Sequence, residues 1–212
     1  MIYLISGLGA DERVFKFLNL GNQSFSVIRW EIPANGESLA TYSLKLIKQI
    51  DTEKEIILIG VSFGGIVAQE IAGHIPVKKL IIISSIKSPD ELHWKLRLVR
   101  VTGIHKLLPA GFMKQLGIYF ADYFFSVETN QELFLLREIM LDTDANFSKW
   151  AVGNILRWKG NRSGITPMHI HGVKDRILSC KTFKNYIPIA DGGHFMIVNR
   201  SEQISKLVRN LI

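Results

Sequence analysis

Short apolar runs alternate with amphipathic segments along the chain, and this alternation predicts the fold. Six runs have the length and apolar character of β-strands, the last being the weakest: residues 2–6, 26–30, 56–60, 79–84, 167–172 and 186–190. The strongest runs are continuously apolar, as in strands that are buried on both faces. We therefore predict an α/β fold, with a mostly parallel sheet of about six strands and helices on both faces.

Helical periodicity is clear in two of the segments that separate or follow these runs. In residues 37–50 the apolar positions share one helix face. The C-terminal segment repeats the pattern from Ile204 to Leu211. Asn199, with Glu202 three residues later, predicts a capped N-terminus for this last helix.

A long segment between about residues 86 and 163 interrupts the alternation. It is helical in pattern and rich in bulky apolar side chains, and Pro109 and Gly111 break it. Because open α/β sheets bind ligands at the carboxyl ends of their strands, we predict a helical cap over that edge. Extra helices that only add stability are the alternative interpretation. We expect most aromatic side chains of the segment to be core and a minority to line an acyl pocket.

Composition is that of an ordinary globular protein. The 212 residues are 47% hydrophobic and 21% charged, which predicts a single domain over residues 1–212 that includes the insertion at 86–163. Cys180 is the only cysteine, so no intrachain disulfide forms, and we expect its thiol to be inert. The N-terminus lacks a basic leader and no run has membrane-spanning length, so we expect a cytoplasmic protein.

The formal net charge is +7, and basic residues are concentrated between His93 and Lys106. There they punctuate an apolar helical pattern. Nucleic acid, an anionic membrane and an acidic substrate are ligands that such a cluster can attract. We favour a solvated helix face with a covered apolar side, because no aromatic-basic signature of nucleic-acid binding accompanies the cluster.

Residues 60–64 read Gly-Val-Ser-Phe-Gly and match the G-x-S-x-G motif. A predicted strand precedes the motif and a predicted helix follows it, so Ser62 lies at an abrupt strand-to-helix turn. There the helix N-terminus favours developing negative charge. A serine alone is a poor nucleophile and needs a base, which in turn needs an orienting acid.

Both partners are available downstream, each at the end of a later predicted strand. Asp175 follows His171-Gly172, and His194 follows Gly192-Gly193. The chain order Ser62, Asp175, His194 is that of α/β hydrolases and differs from the orders of the two major serine protease folds. Asp191 is an alternative acid, which we interpret as a turn former because it shares the loop of the histidine.

The loop Ser6-Gly7-Leu8-Gly9 closes the first predicted strand. We expect the backbone N–H groups of Leu8 and Phe63 to form the oxyanion hole. With the turn at 32–38, these motifs make the chain resemble a small member of the α/β-hydrolase fold superfamily. The resemblance covers nearly the whole chain in motif order. Many relatives have His-Gly where this chain has Ser6-Gly7. The first predicted strand directly precedes this loop, so we expect a shortened sheet without the family's usual first antiparallel strands.

Two other motifs give weaker evidence of a functional site, in both cases a metal site. His169 and His171 alternate on a strand near Asp175, which is one arrangement of metal ligands, but we favour a packed strand histidine and a turn-shaping His171. Residues 142–146 imitate the start of an EF-hand loop. Phe147 stands where that loop requires glycine, so we interpret the segment as a polar loop or helix cap. We expect no metal site.

These residues predict a serine hydrolase that cleaves an ester, thioester or similar acyl bond of a small molecule through an acyl-enzyme. Ser62, His194 and Asp175 are the expected catalytic residues, and no cofactor is needed. The same fold also carries other functions. The alternatives are a non-catalytic small-molecule receptor, and a lyase that uses Ser62 and His194 as acid and base.

Overall fold

Six parallel strands form one sheet in a computed structural model that describes residues 1–212. The strand order is β2-β1-β3-β4-β5-β6, and all five pairings are parallel. The strands are β1 Ile2–Ile5, β2 Phe25–Ile28, β3 Ile57–Val61, β4 Lys79–Ile83, β5 Met168–Gly172 and β6 Ile187–Ile189. The α/β fold with a parallel six-stranded sheet is therefore confirmed, including the weak sixth strand.

Nine α-helices connect and cover the strands. Their bounds are α1 Leu39–Ile47, α2 Phe63–Ala72, α3 Trp94–Thr102, α4 Ala110–Tyr119, α5 Ala121–Phe125, α6 Asn130–Asp142, α7 Ala145–Arg157, α8 Met196–Asn199 and α9 Ser201–Leu211. None of them combines the length and hydrophobicity that crossing a membrane requires. The predicted cap at Asn199 is wrong, because Asn199 ends α8 and its amide donates to the Ser126 carbonyl.

Each face of the sheet has its own apolar core, and the alternation of side chains along a strand assigns residues to the two cores. Tyr3 and Ile5 of β1 point to the face that α1 and α2 cover. Ile2 and Leu4 point to the opposite face, which α8 and α9 cover. All four side chains are buried, as the continuously apolar pattern of the strand predicted.

The helices α3 to α7 lie between β4 and β5 in the chain. The expectation that most aromatic side chains of this insertion are core is wrong. Of those between 86 and 163, only Phe147 and Trp158 are fully buried, whereas Trp94 is 63% and Tyr123 57% exposed. The reason is that α3 and α4 form an outer layer that packs on α7. Neither helix contains a fully buried residue.

Candidate active site

Ser62 occupies the turn between β3 and α2, with φ 52° and ψ −117°. A positive φ is costly for a residue with a Cβ, so the surrounding structure must hold the turn. The Ser62 N–H donates to the carbonyl of Ile83 at 2.8 Å, and the Ser85 hydroxyl donates to the Ser62 carbonyl at 2.7 Å. These two hydrogen bonds tie the turn to the end of β4, which is the neighbour of β3 in the sheet.

The two glycines of the motif are required by close backbone approach. A Cβ on Gly60 would overlap the backbone of Gly64. A Cβ on Gly64 would overlap the carbonyl groups of Ile5 and Ser6 at the end of β1. Glycine therefore lets α2 start directly against the sheet, and the sharp turn presents the Ser62 side chain at the carboxyl edge.

The structure brings the three predicted side chains into one hydrogen-bonded chain. Ser62 Oγ lies 2.9 Å from Nε2 of His194, and Nδ1 of His194 lies 2.7 Å from Oδ2 of Asp175. Phe125 of α5 packs edge-on against the imidazole, with ring centroids 5.4 Å apart. His194 and Asp175 are both 5% exposed, so the chain of bonds lies almost out of solvent.

The Asp175 carboxylate is held by both of its oxygens. Oδ1 accepts hydrogen bonds from the backbone N–H groups of Ile177 and Leu178, each at 2.8 Å. Burial alone raises the pKa of Asp175. The charge interaction with His194 and hydrogen bonds from His171 and His194 outweigh it, so this pKa lies well below its ordinary value. The acid is therefore ionised at neutral pH.

Asp191, the alternative acid, lies elsewhere. Its carboxylate forms an ion pair with Lys174 at 2.6 Å, and both side chains are about two-thirds exposed. The Lys174 hydrogen bond lowers the pKa of Asp191. Asp191 therefore neutralises a surface lysine, whereas Asp175 contacts His194.

His169 and His171 both lie within β5 and point to the same side, so His171 is not a turn residue as expected. Nε2 of His169 lies 3.1 Å from Nδ1 of His171, and both rings are buried. Burial and the neighbouring His171 lower the pKa of His169 to about 3. No group of three or more His, Cys, Asp or Glu side chains has the arrangement of a metal site.

Leu8 and Phe63 line the same cavity as Ser62. Phe63 is the first residue of α2, so its N–H has no partner within the helix. The Leu8 N–H, in the turn after β1, donates to no other backbone group. The strand that carries this turn lies beside β3, and Gly7 is so close to Ser62 that an added Cβ would lie 3.3 Å from the serine Cβ. The N–H groups of Leu8 and Phe63 are therefore candidates for the oxyanion hole.

A cavity of about 180 Å³, the inner cavity, opens beside Ser62 and His194. Of its 21 lining residues 17 are hydrophobic. The insertion contributes Leu136, Ile139 and Leu156 to this lining. The site can therefore hold an apolar group next to the serine hydroxyl while it excludes most water.

Two other sequence candidates do not join the site. Asp144 caps α7 by accepting from the Phe147 N–H at 2.7 Å, and Asp142 pairs with Arg13 at 2.7 Å. The segment 142–146 is thus a helix cap, one of the two alternatives given. Cys180 is partly buried and lies outside the inner cavity.

The sequence analysis missed residues that the structure places at the site. Phe125 contacts His194, but an aromatic residue among many in a helical segment carries no signal of that contact. His171 lies 3.3 Å from Asp175 Oδ2. Its signal was present in the His-x-His alternation near the acid, which the sequence analysis interpreted as a packed strand histidine and a turn-shaping His171 in preference to a metal site.

Comparison with known proteins identifies the family of the chain. The model of the Alpha/beta hydrolase family matches residues 2–207, so the chain belongs to this family. Among curated proteins, no sequence matches the chain.

Solved structures with similar folds include esterases of low sequence identity. A thermophilic esterase from Thermogutta terrifontis is 16% identical with a TM-score of 0.71, covering 99% of this chain and 88% of the esterase. An esterase from Exiguobacterium antarcticum is 17% identical with a TM-score of 0.72, covering 99% and 90%. A lipase-esterase related protein from Clostridium acetobutylicum is 16% identical with a TM-score of 0.72, covering 100% and 93%. At these identities the likeness shows the fold.

Proposed function

We propose that the protein is a serine hydrolase that cleaves an ester, thioester or similar acyl bond of a small molecule. The observation that carries this proposal is the bonded chain from Ser62 through His194 to Asp175, which opens on an apolar cavity. Membership of the α/β hydrolase family supports hydrolysis. The esterases among the similar structures favour a carboxylesterase-like reaction.

The hydrogen-bond partners support one direction of proton transfer, from Ser62 to His194. An ionised carboxylate only accepts, so Nδ1 of His194 carries the hydrogen that faces Asp175. Nε2 is then the basic nitrogen and accepts from the Ser62 hydroxyl. Asp175 thereby holds the imidazole in the tautomer that a general base needs.

In the first half-reaction, Ser62 Oγ bonds to the substrate carbonyl carbon while its proton moves to Nε2 of His194. The N–H groups of Leu8 and Phe63 stabilise the negative oxygen of the tetrahedral intermediate. The bond to the leaving group then breaks, and the imidazolium returns its proton to that group. Water repeats the sequence on the acyl-enzyme and releases the acid, with Ser62 regenerated.

The test is labelling by a fluorophosphonate probe together with hydrolysis of 4-nitrophenyl esters of two to twelve carbons. We expect the wild type to label and to turn over short or medium acyl chains, and Ser62→Ala to lose both. Ser88→Ala is the matched control, because the Ser88 hydroxyl caps nothing and lies outside the cavity. A wild type that neither labels nor hydrolyses any ester would remove the acyl-enzyme, leaving a lyase or a receptor.

A further inference from the structure

A second cavity, the outer chamber, continues from the inner cavity toward solvent. Its volume is about 450 Å³. Six residues line both spaces: Leu8, Gly9, Leu96, Phe125, Val152 and Ile177. An elongated substrate can therefore occupy the two spaces at once, with one end beside Ser62 and the other under the helices α3, α4 and α6.

The outer chamber differs from the inner cavity in charge. Lys95, Lys114 and Arg176 line it, and no Asp or Glu does. None of the three cations forms an ion pair, whereas several other lysines and arginines of the chain pair with a carboxylate. Their positive charge is therefore uncompensated within the chamber.

Neutral groups hold two of these cations in place. The Lys114 ammonium donates to the carbonyls of Leu141 and Thr143, each at 2.7 Å. Arg176 donates to the Tyr123 carbonyl at 3.0 Å and lies over the Tyr123 ring, 4.5 Å from its centroid. Carbonyl groups and an aromatic face orient a cation without neutralising it, so both keep donors for an anionic ligand.

We propose that the substrate is an ester with an apolar part for the inner cavity and a carboxylate or phosphate group for the outer chamber. This inference rests on the proposed function and specifies its substrate class. The inner cavity is unsuitable for the anion, because burying a charge among apolar side chains is costly. Lysine and arginine bind carboxylate and phosphate oxygens through charge-assisted hydrogen bonds, which explains why the chamber has only cations.

The kinetic test compares matched ester pairs that differ in charge. The acyl side is tested with 4-nitrophenyl hexanoate against mono-4-nitrophenyl adipate, and the alcohol side with phenyl butyrate against 4-carboxyphenyl butyrate. We expect kcat/KM to be about tenfold or more higher for the charged member of one pair, and this preference to shrink at 0.5 M NaCl. Equal kcat/KM within both pairs would overturn the proposal.

Variants locate the preference. We expect Lys114→Met and Arg176→Met each to lower the ratio of charged to uncharged kcat/KM about tenfold, and Lys114→Arg and Arg176→Lys to restore most of it. Lys48→Met removes the same charge from an exposed residue that lines neither cavity, and it should leave the ratio unchanged. If Lys48→Met lowered the ratio as much as Lys114→Met, general attraction by the net charge would replace the chamber as the explanation.

A binding measurement tests this inference separately from the proposed function. Calorimetry on Ser62→Ala measures binding of monomethyl adipate, butyl phosphate and uncharged methyl hexanoate without turnover. Tighter binding of either anion than of methyl hexanoate, lost in Ser62→Ala combined with Lys114→Met, supports the chamber and identifies the preferred anion. Absence of that difference overturns the inference even if Ser62 labels with the fluorophosphonate, whereas failed labelling alone counts against the hydrolase.

Discussion

His171 Nε2 lies 2.7 Å from the carbonyl oxygen of Leu178 and 3.3 Å from Oδ2 of Asp175. Because a carbonyl only accepts, this nitrogen carries a hydrogen, which the carboxylate shares. On the other side of the ring, Nδ1 of His171 lies within hydrogen-bond distance of Nε2 of His169, at 3.1 Å. The carboxylate that contacts His194 is thus supported from behind by His171, which in turn contacts His169.

The first prediction is that His171 is a positioning residue for Asp175. We expect His171→Phe to lower kcat about tenfold, the effect of one hydrogen bond to a charged group, with a smaller change in KM. The acid limb of the pH profile of kcat/KM should also move to higher pH, because the carboxylate loses a donor that competes with His194. His171→Gln retains an N–H donor and should recover most of the rate. A profile that kept its shape in His171→Phe would indicate a packing role only.

The second prediction separates the two carboxylates of the sequence analysis. Asp175→Asn should lower kcat by a factor of about 10³–10⁴, because an amide in place of the carboxylate stabilises the wrong imidazole tautomer. Asp191→Asn breaks only a surface ion pair with Lys174 and should leave kcat within about twofold. Ester hydrolysis at saturating substrate measures both, with circular dichroism to verify folding. A large loss confined to Asp191→Asn would reverse the assignment.

Much of this site follows from the sequence, because parallel strands end at one edge of a sheet. Ser62, Asp175 and His194 each follow a predicted strand, so the topology brings them together before any side-chain detail is known. The role of the glycines around Ser62 can also be predicted from the sequence, because close packing of the helix on the sheet leaves no room for a Cβ.

The insertion could not be predicted to the same depth. Its helical pattern gives the presence of helices but not their packing, and the packing decides which apolar residues face the inner cavity. The exposure of Trp94 on the outer layer and the contact of Phe125 with His194 are both consequences of helix placement. Lys114 and Arg176 line the same chamber although 62 positions separate them in the chain, and no local sequence pattern predicts that they lie close together.

The third prediction concerns the glycines of the turn. Gly64→Ala should lower the free energy of unfolding by about 3 kcal/mol or more, because the added Cβ would overlap the carbonyls of Ile5 and Ser6 and backbone must move. Gly111→Ala is the matched control: it lies in α4 with no atom within 4 Å of the added Cβ. We expect it to stabilise by about 0.5 kcal/mol, since alanine has the higher helix propensity. Urea unfolding measures both, and similar losses in the two variants would contradict the steric argument.

The fourth prediction follows from the buried His169. Burial lowers its pKa to about 3 in the folded chain, with the charges of His171 and Lys87 acting in the same direction and Asp175 opposing them. The ordinary histidine pKa of about 6.5 applies once the chain unfolds. Between these values the unfolded chain binds a proton that the folded chain does not, so stability falls as the pH falls through this window.

We therefore expect the free energy of unfolding to decrease between pH 6 and 4 with a contribution from His169 that approaches about 1.4 kcal/mol per pH unit. His169→Gln removes the titration but keeps an amide group that can hydrogen-bond to Nδ1 of His171, so its unfolding free energy should depend less on pH over this range. Burial raises the pKa of Glu91, so Glu91 changes the stability in the opposite direction over the same pH range. Because wild type and variant share Glu91, the difference between their unfolding free energies reports on His169 alone. Urea unfolding at pH 4, 5, 6 and 7 measures the difference, and parallel curves for the two proteins would show that His169 is charged in the fold or is not the titrating group.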